Sequence, residues 1–89
     1  MNKQIEAKLN KLSKMYPNAW FKDGGEFSSS HKNTIWTGEG SYTKDGQSLF
    51  NYYSYCDTMG IHPQLAQTLD KLGLYAEFYD AGTVFIYQV

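Results

Sequence analysis

The 89-residue sequence contains no arginine, and all eight of its basic residues are lysines. Arginine supplies the forked donors that read guanine edges, clamp phosphates and stack on bases. Its absence counts against sequence-specific recognition of nucleic acid, although lysines still permit weaker electrostatic binding.

Cysteine and long apolar runs are also scarce. Cys56 is the only cysteine, so the chain cannot form an intramolecular disulfide, which indicates a reducing compartment. No apolar run approaches the ~18–20 residues that cross a bilayer, and the N-terminus lacks the apolar stretch of a secretory signal. We therefore expect a cytoplasmic protein without membrane contact.

The net charge of −1 is distributed unevenly along the chain. Residues 1–32 carry a net charge of +3, and residues 33–89 carry −4. If these two parts form different faces, the molecule is dipolar.

Aromatic residues are abundant, with 8 Tyr, 5 Phe and 2 Trp. A chain of 89 residues has room for one hydrophobic core, so we expect a single domain over residues 1–89. Each aromatic side chain can bury roughly 150–250 Å², which compensates for a small core. Tyrosine and tryptophan suit protein interfaces as well as cores.

Two segments have the apolar spacing of helices. The first spans residues 3–16 and ends at Pro17, and its apolar residues recur at steps of four, three and four: Ile5, Leu9, Leu12 and Tyr16. Lysines occupy its flank and far side: Lys3, Lys8, Lys11 and Lys14. The second helix starts at Pro63, follows a leucine repeat, and ends at Gly73 as a C-terminal cap.

Four short segments have the composition of strands: residues 19–22, 33–37, 74–79 and 83–89. Alternation in the second places Ile35 and Thr37 on one face and Trp36 on the other. Asp45 and Gly46 suit a tight turn with positive φ. Residues 47–56 fit either a helical stripe or a strand, and we favour a strand because of their β-favouring composition.

This order of elements predicts an α+β fold. We expect a small, mostly antiparallel sheet of about four strands, with two helices packed on one face and a C-terminal hairpin. A mixed sheet with one parallel strand is the alternative.

The C-terminal hairpin is the most informative feature because both of its faces are apolar. On one face Leu74, Ala76 and Phe78 join Val84 and Ile86. The other face combines Glu77 with four aromatic residues: Tyr75, Tyr79, Phe85 and Tyr87. A sheet with helices on one side normally has a polar outer face, so this aromatic face needs a cover. The cover is the first helix or a loop of the chain itself, a second copy, or a foreign partner; the alternative is that the tyrosine hydroxyls simply reach water.

Two further groups are candidate binding features. One is a second aromatic concentration that could stack a ligand or base: Trp36, Phe50, Tyr52, Tyr53 and Tyr55. The other is the basic flank of the first helix, where Lys8, Lys11 and Lys14 could meet an acidic partner or a phosphate backbone. Packing and solvation are the competing explanations for both groups.

Residues with chemical reactivity are few. Cys56, Asp57 and His62 could lie close together, but zinc sites use four ligands and a catalytic cysteine needs an oriented base. Ser28 to Ser30 precede His31, although adjacency in sequence is not the arrangement that hydrolysis requires. We therefore predict no cofactor, no metal site and no enzymatic activity.

No motif identifies a family, so the prediction of function rests on a general likeness and not on specific residues. The chain resembles, in size and in its lack of catalytic chemistry, the small proteins that phages and mobile elements use to inhibit host machinery, including anti-CRISPR proteins. It is therefore expected to act in the cytoplasm, the host's if it is phage-encoded, by occupying a surface of a larger protein or complex. Its expected contact residues are Tyr75, Tyr79, Phe85 and Tyr87, with Trp36 or the residues Lys8, Lys11 and Lys14 at the edge. The alternative is weak nucleic-acid binding by the lysine-rich helix and the sheet aromatics.

Overall fold

The computed structural model describes residues 1–54 and 58–89 and confirms the predicted α+β architecture. The elements in chain order are α1 (Lys3–Met15), β1 (Lys22–Asp23), β2 (Ile35–Gly38), α2 (Pro63–Lys71), β3 (Leu74–Asp80) and β4 (Thr83–Gln88). The four strands form one sheet in the order β1-β2-β4-β3, and each neighbouring pair is antiparallel. The predicted C-terminal hairpin is the pair β3 and β4.

Both helices begin at side-chain caps. The Oδ1 atom of Asn2 accepts a hydrogen bond from the backbone amide of Ile5 at 2.8 Å. The Nδ1 atom of His62 accepts one from the amide of Gln64 at 3.1 Å, with Pro63 as the first helical residue. These bonds satisfy amides that have no partner within a helix, so both helix starts are local consequences of the sequence.

The hydrophobic core lies between the helices and one face of the sheet. Helices α1 and α2 contribute Ile5, Leu12, Leu65 and Leu69, which pack in one cluster with the inward residues of the strands. The strand residues of this cluster are Ile35, Leu74, Val84 and Ile86, with Ala76 and Phe78 packed against them. Neither helix of the described residues is long and apolar enough to cross a membrane.

The register of the hairpin confirms the predicted division into two faces. Ala76 lies opposite Ile86, and Phe78 lies opposite Val84, on the side of the core. Tyr75 is paired with Tyr87 on the opposite, outer side of the sheet. A short turn at Asp80 joins the strands, where the Asp80 carboxylate accepts a hydrogen bond from the amide of Gly82 at 3.0 Å.

The first two strands are shorter than predicted. Residues 19–21 are not in a strand. The amide of Ala19 donates to the carbonyl of Tyr16, and the backbone of Trp20 bonds to side chains: its amide donates to Ser41 Oγ, and its carbonyl accepts from Thr37 Oγ1. Strand β2 begins at Ile35 rather than at Asn33, since Asn33 has a positive φ of 62°. Ile35 and Thr37 do face the core as predicted, and Trp36 faces outward.

The preference for a strand over residues 47–56 is wrong for the part that the structure describes. Residues 47–54 contain neither a helix nor a strand, and they pair only through isolated bridges from Ser48 to Tyr42 and from Phe50 to Ile61. The Oδ1 atom of Asn51 accepts a hydrogen bond from the amide of Tyr53, which turns the backbone away from an extended path. The neighbouring turn at Gly46 has the expected positive φ.

Thr37→Val should lower the free energy of unfolding by about 1–3 kcal/mol. The Thr37 hydroxyl is fully buried and donates to the Trp20 carbonyl at 2.7 Å, and it lies 3.3 Å from Ser41 Oγ. Valine keeps the shape and leaves buried polar groups without this partner. Urea denaturation measures the change, and Thr83→Val, a half-buried strand threonine, is the matched control. Equal stabilities of the two variants would contradict the prediction.

Candidate protein-binding surface

A cover loop, residues 24–32, packs over the outer face of the sheet. It holds the Phe27 ring 5.1 Å from the Phe85 ring and stacks the imidazole of His31 on Phe85, with ring centroids 3.9 Å apart. As a result Phe85 is only 1% exposed although it lies opposite the main core. The chain itself therefore supplies part of the cover that the aromatic face requires.

The cover loop is anchored by tight backbone packing at Gly24. A Cβ atom on Gly24 would lie 2.0 Å from Thr34 Oγ1 and 2.5 Å from the carbonyl oxygen of His31, so only glycine fits. The amide of Gly24 donates to the carbonyl of Thr34 at 2.9 Å, and the carboxylate of Asp23 accepts from the amide of Gly25 at 2.8 Å. These contacts place Phe27 and His31 above the sheet.

Ring contacts continue across the whole outer face. Phe27 also contacts Trp36 at 5.3 Å and Tyr79 at 5.2 Å, both edge to face. Trp36 in turn contacts Trp20 at 5.4 Å. One row of aromatic rings thus extends from the β1 side of the sheet to the β3 side, with Phe27 in the middle.

Phe85, one of the predicted contact residues, is covered by Phe27 and His31, so of the covers considered for the aromatic face a loop of the chain itself lies over this residue. Trp36 is half-buried under the same loop. The three tyrosines among the predicted contact residues, here called the outer tyrosines, reach the surface: Tyr75 is 45% exposed, Tyr79 is 58% exposed and Tyr87 is half-buried. The rings of Tyr75 and Tyr87 stack at 5.3 Å across the strand pair.

A second group of exposed side chains lies beside β3; Tyr52 and Tyr53 were candidates from the sequence, whereas Met59 was missed. Tyr53 and Met59 are 86% and 84% exposed, and Tyr52 lies next to them. Together with Tyr75 they line an open groove of about 970 Å³ along the outer edge of β3, here called the edge groove. The position of Met59 in the sequence carries no periodic signal that could have identified it.

The second aromatic concentration that the sequence predicted does not form as one cluster. Phe50 is buried in the core, whereas Tyr52 contacts Phe78 at the β3 edge. Trp36 lies on the outer face and contacts Trp20 and Phe27 instead. Tyr55, which was included in the prediction, lies outside the described residues.

The lysines of α1 lie on the other side of the molecule from the outer tyrosines. Helix α1 packs on the core face of the sheet, and Lys11 and Lys14 are exposed on its far side. The ammonium group of Lys8 lies beside Gly73, 3.8 Å from the position of a Cβ atom there, near the C-terminus of α2. The lysine-rich helix and the sheet aromatics therefore do not form one continuous surface.

The residues considered for catalysis have structural contacts. Ser28 Oγ lies 2.8 Å from Nδ1 of His31, and Ser30 Oγ lies 3.3 Å from the same atom. No described residue orients the imidazole from its other nitrogen, as a nucleophile and base pair requires. His62 caps α2 and contacts Gln47, while Cys56 and Asp57 lie outside the described residues. Among the residues described, no group of three or more metal-ligating side chains occurs.

Comparisons of the chain with protein-family models, curated proteins and solved structures gave no significant match. The function is therefore argued from the surface alone.

Phe85→Ala should lower the free energy of unfolding by about 3–5 kcal/mol, because it leaves a cavity beneath the cover loop. Tyr75→Ala, an aromatic truncation on the same face at a 45% exposed site, should have a much smaller effect. Urea denaturation of both variants measures the difference. A loss of less than about 1 kcal/mol for Phe85→Ala would show that the cover loop does not seal the outer face.

Burial, then the negative charge of Glu77, then the neighbouring Tyr75, raise the pKa of Tyr87 above its ordinary value. A raised pKa in the folded state means that the unfolded chain ionises this phenol first. The neutral phenol of Tyr87 therefore contributes fully to the free energy of unfolding below about pH 10. This contribution is lost as the pH rises through the folded-state pKa.

Glu77→Gln should therefore lower the pKa of Tyr87 part of the way to its ordinary value, with the effect of burial remaining. The measurement is a pH titration of the ring carbon resonances, with the Tyr87 signal assigned from Tyr87→Phe. Glu6→Gln removes the same charge from α1 and should leave the Tyr87 titration unchanged. A Tyr87 pKa unaffected by Glu77→Gln would contradict the electrostatic assignment.

Proposed function

We propose that this chain is a protein-binding module that docks on a larger protein through β3, using the outer tyrosines and the edge groove. The observation that carries the proposal is the concentration of exposed apolar side chains there. Within the described residues, five of the nine large, exposed hydrophobic side chains flank β3: Tyr52, Tyr53, Met59, Tyr75 and Tyr79. Tyrosine and methionine are enriched in protein interfaces, and tyrosine is enriched among the residues that dominate binding energy.

The position of β3 in the sheet supports the same surface. Strand β3 is an edge strand seven residues long. The amide of Val89 donates to the carbonyl of Gly73 at 2.8 Å, and by the alternation of an antiparallel ladder Leu74, Ala76 and Phe78 direct their backbone groups away from β4. Such an edge offers hydrogen bonds to an extended segment of a partner, while the groove beside it accepts that segment's apolar side chains.

The cover loop explains why these tyrosines belong to a surface rather than to the core. Phe27 and His31 fill the space above Phe85 and Trp36, and they leave Tyr75 and Tyr87 outside the covered area. Replacement of Tyr75 should therefore affect binding much more than folding, whereas Tyr79 also contacts Phe27 and His31 and contributes to the packing of the cover loop.

The proposed action is occupation of the partner's surface, as phage and mobile-element inhibitors, including anti-CRISPR proteins, act. We include a cytoplasmic setting and inhibition of a larger complex in the proposal. The single cysteine supports the setting, and the tyrosine-rich binding surface supports the mode of action.

The double variant Tyr53→Ser, Tyr75→Ser should lower affinity for the partner at least 100-fold, because two interface tyrosines of about 2 kcal/mol each are removed. Light scattering during size exclusion first determines the solution mass of the wild type. Affinity capture from bacterial lysate then identifies a partner, and binding is measured with both proteins purified.

The matched control is Lys11→Ser, Lys14→Ser, which removes two exposed side chains from the opposite side of the molecule. The nucleic-acid alternative would be favoured by three results together. The tyrosine variant would bind as tightly as wild type, the lysine variant would bind more weakly, and binding would fall steeply with salt. A wild-type dimer that the tyrosine variant converts to monomer would assign the surface to self-association. The proposal of inhibition is tested separately: the partner should lose its activity when an equimolar amount of this chain is added.

A further inference from the structure

The two tryptophans of the chain form an open aromatic corner at the β1 edge of the sheet. The rings of Trp20 and Trp36 are nearly perpendicular, at 88°, with their centroids 5.4 Å apart. The ammonium group of Lys22 lies 5.6 Å from the centroid of Trp20 and 5.5 Å from that of Trp36. Both distances are within the range of about 6 Å in which a cation is attracted to the face of an aromatic ring.

Strand geometry accounts for this arrangement. Lys22 is the direct cross-strand partner of Trp36, so the two side chains project on the same side of the sheet. Trp20 precedes the strand, and its ring contacts with Trp36 and Lys22 place it on that side as well.

The two aromatic walls are held by contacts that do not involve Lys22. The indole N–H of Trp20 donates to the carbonyl oxygen of Glu39 at 2.8 Å. The ring of Trp36 packs against Phe27 at 5.3 Å, under the cover loop. The corner should therefore keep its shape when the lysine leaves, which is the condition for a preorganised site.

Lys22 is a weakly held occupant of this corner. Its side chain is exposed, and among the described residues its ammonium group has these two ring contacts and no hydrogen bond or ion pair. A primary ammonium is compact and strongly hydrated, and ordering a lysine side chain loses rotamer entropy. A trimethylammonium group carries the same charge with less hydration and a larger apolar surface, and aromatic corners bind such groups in known recognition sites.

We propose that the corner formed by Trp20 and Trp36 is a binding site for quaternary ammonium compounds, and that Lys22 occupies it until such a ligand displaces the lysine side chain. The ligand class is defined by a trimethylammonium group, as in choline or Nε-trimethyl-lysine. The site is independent of the proposed protein-binding surface at β3, which lies at the opposite edge of the sheet.

The test is a titration with choline followed by the indole N–H resonances. The chain has two tryptophans, and both line the corner, so both signals report on the site. Choline should shift both signals saturably, with a dissociation constant on the order of 1–10 mM for Lys22→Ala. Wild type should bind about 3- to 10-fold more weakly, because its own lysine competes. Nε-trimethyl-lysine, titrated in parallel, distinguishes a modified side chain from a free choline-type ligand as the preferred form.

The controls separate charge from apolar contact and from general effects of mutation. The neutral isostere 3,3-dimethylbutan-1-ol should bind at least 10-fold more weakly than choline. Lys32→Ala, which removes an exposed lysine of the cover loop, should leave choline affinity at the wild-type value. If Lys22→Ala impairs folding, as judged by its amide spectrum, Lys22→Gln takes its place.

The proposal is overturned if choline and trimethyl-lysine produce no saturable shift in the Lys22 variant, or if the neutral isostere binds equally well. Equal choline affinity of wild type and the Lys22 variant would refute the displacement of Lys22.

Discussion

The contact of Phe27 and His31 with Phe85 is the interaction on which the rest of this structure depends. The C-terminal hairpin is apolar on both faces, and one face is covered by the helices. Without the cover loop, Phe85 at the centre of the sheet would face water together with Trp36. Full burial of one such side chain contributes about 1.5–3 kcal/mol, a large fraction of the stability of a small domain. The cover loop thus allows the sheet to carry an outer aromatic face without exposing Phe85.

The features that could be predicted are those encoded by local periodicity. The leucine repeat and Pro63 define α2, and alternation assigns the side chains of β3 and β4 to the correct faces. The cover loop could not be predicted in the same way, because its sequence is rich in glycine and serine and reads as a polar connection. Phe27 and His31 gain their role only from a tertiary contact with Phe85, a residue more than 50 positions away.

The candidate site was predictable to a similar extent. Tyr75, Tyr79 and Tyr87 follow from strand alternation, and they do reach the surface. Tyr52 and Tyr53 were assigned to a strand because aromatic composition favours strands, but Asn51 redirects the backbone through its own side chain. A local side-chain hydrogen bond therefore outweighs β propensity here, and it turns the segment toward the edge of β3.

The two edges of the sheet differ in a way that bears on where a partner can dock. Strand β1 is only two residues long and carries Lys22, and short edge strands with an outward lysine are a common protection against unwanted pairing. Strand β3 is seven residues long, and its irregularity between Phe78 and Asp80 comes only near its end. Among the described residues, four of the five exposed tyrosines also lie on or beside this longer edge: Tyr52, Tyr53, Tyr75 and Tyr79. Because a docking segment needs both backbone partners and apolar contacts, the asymmetry favours β3 for a protein partner, whereas the β1 edge retains only the small aromatic corner around Lys22.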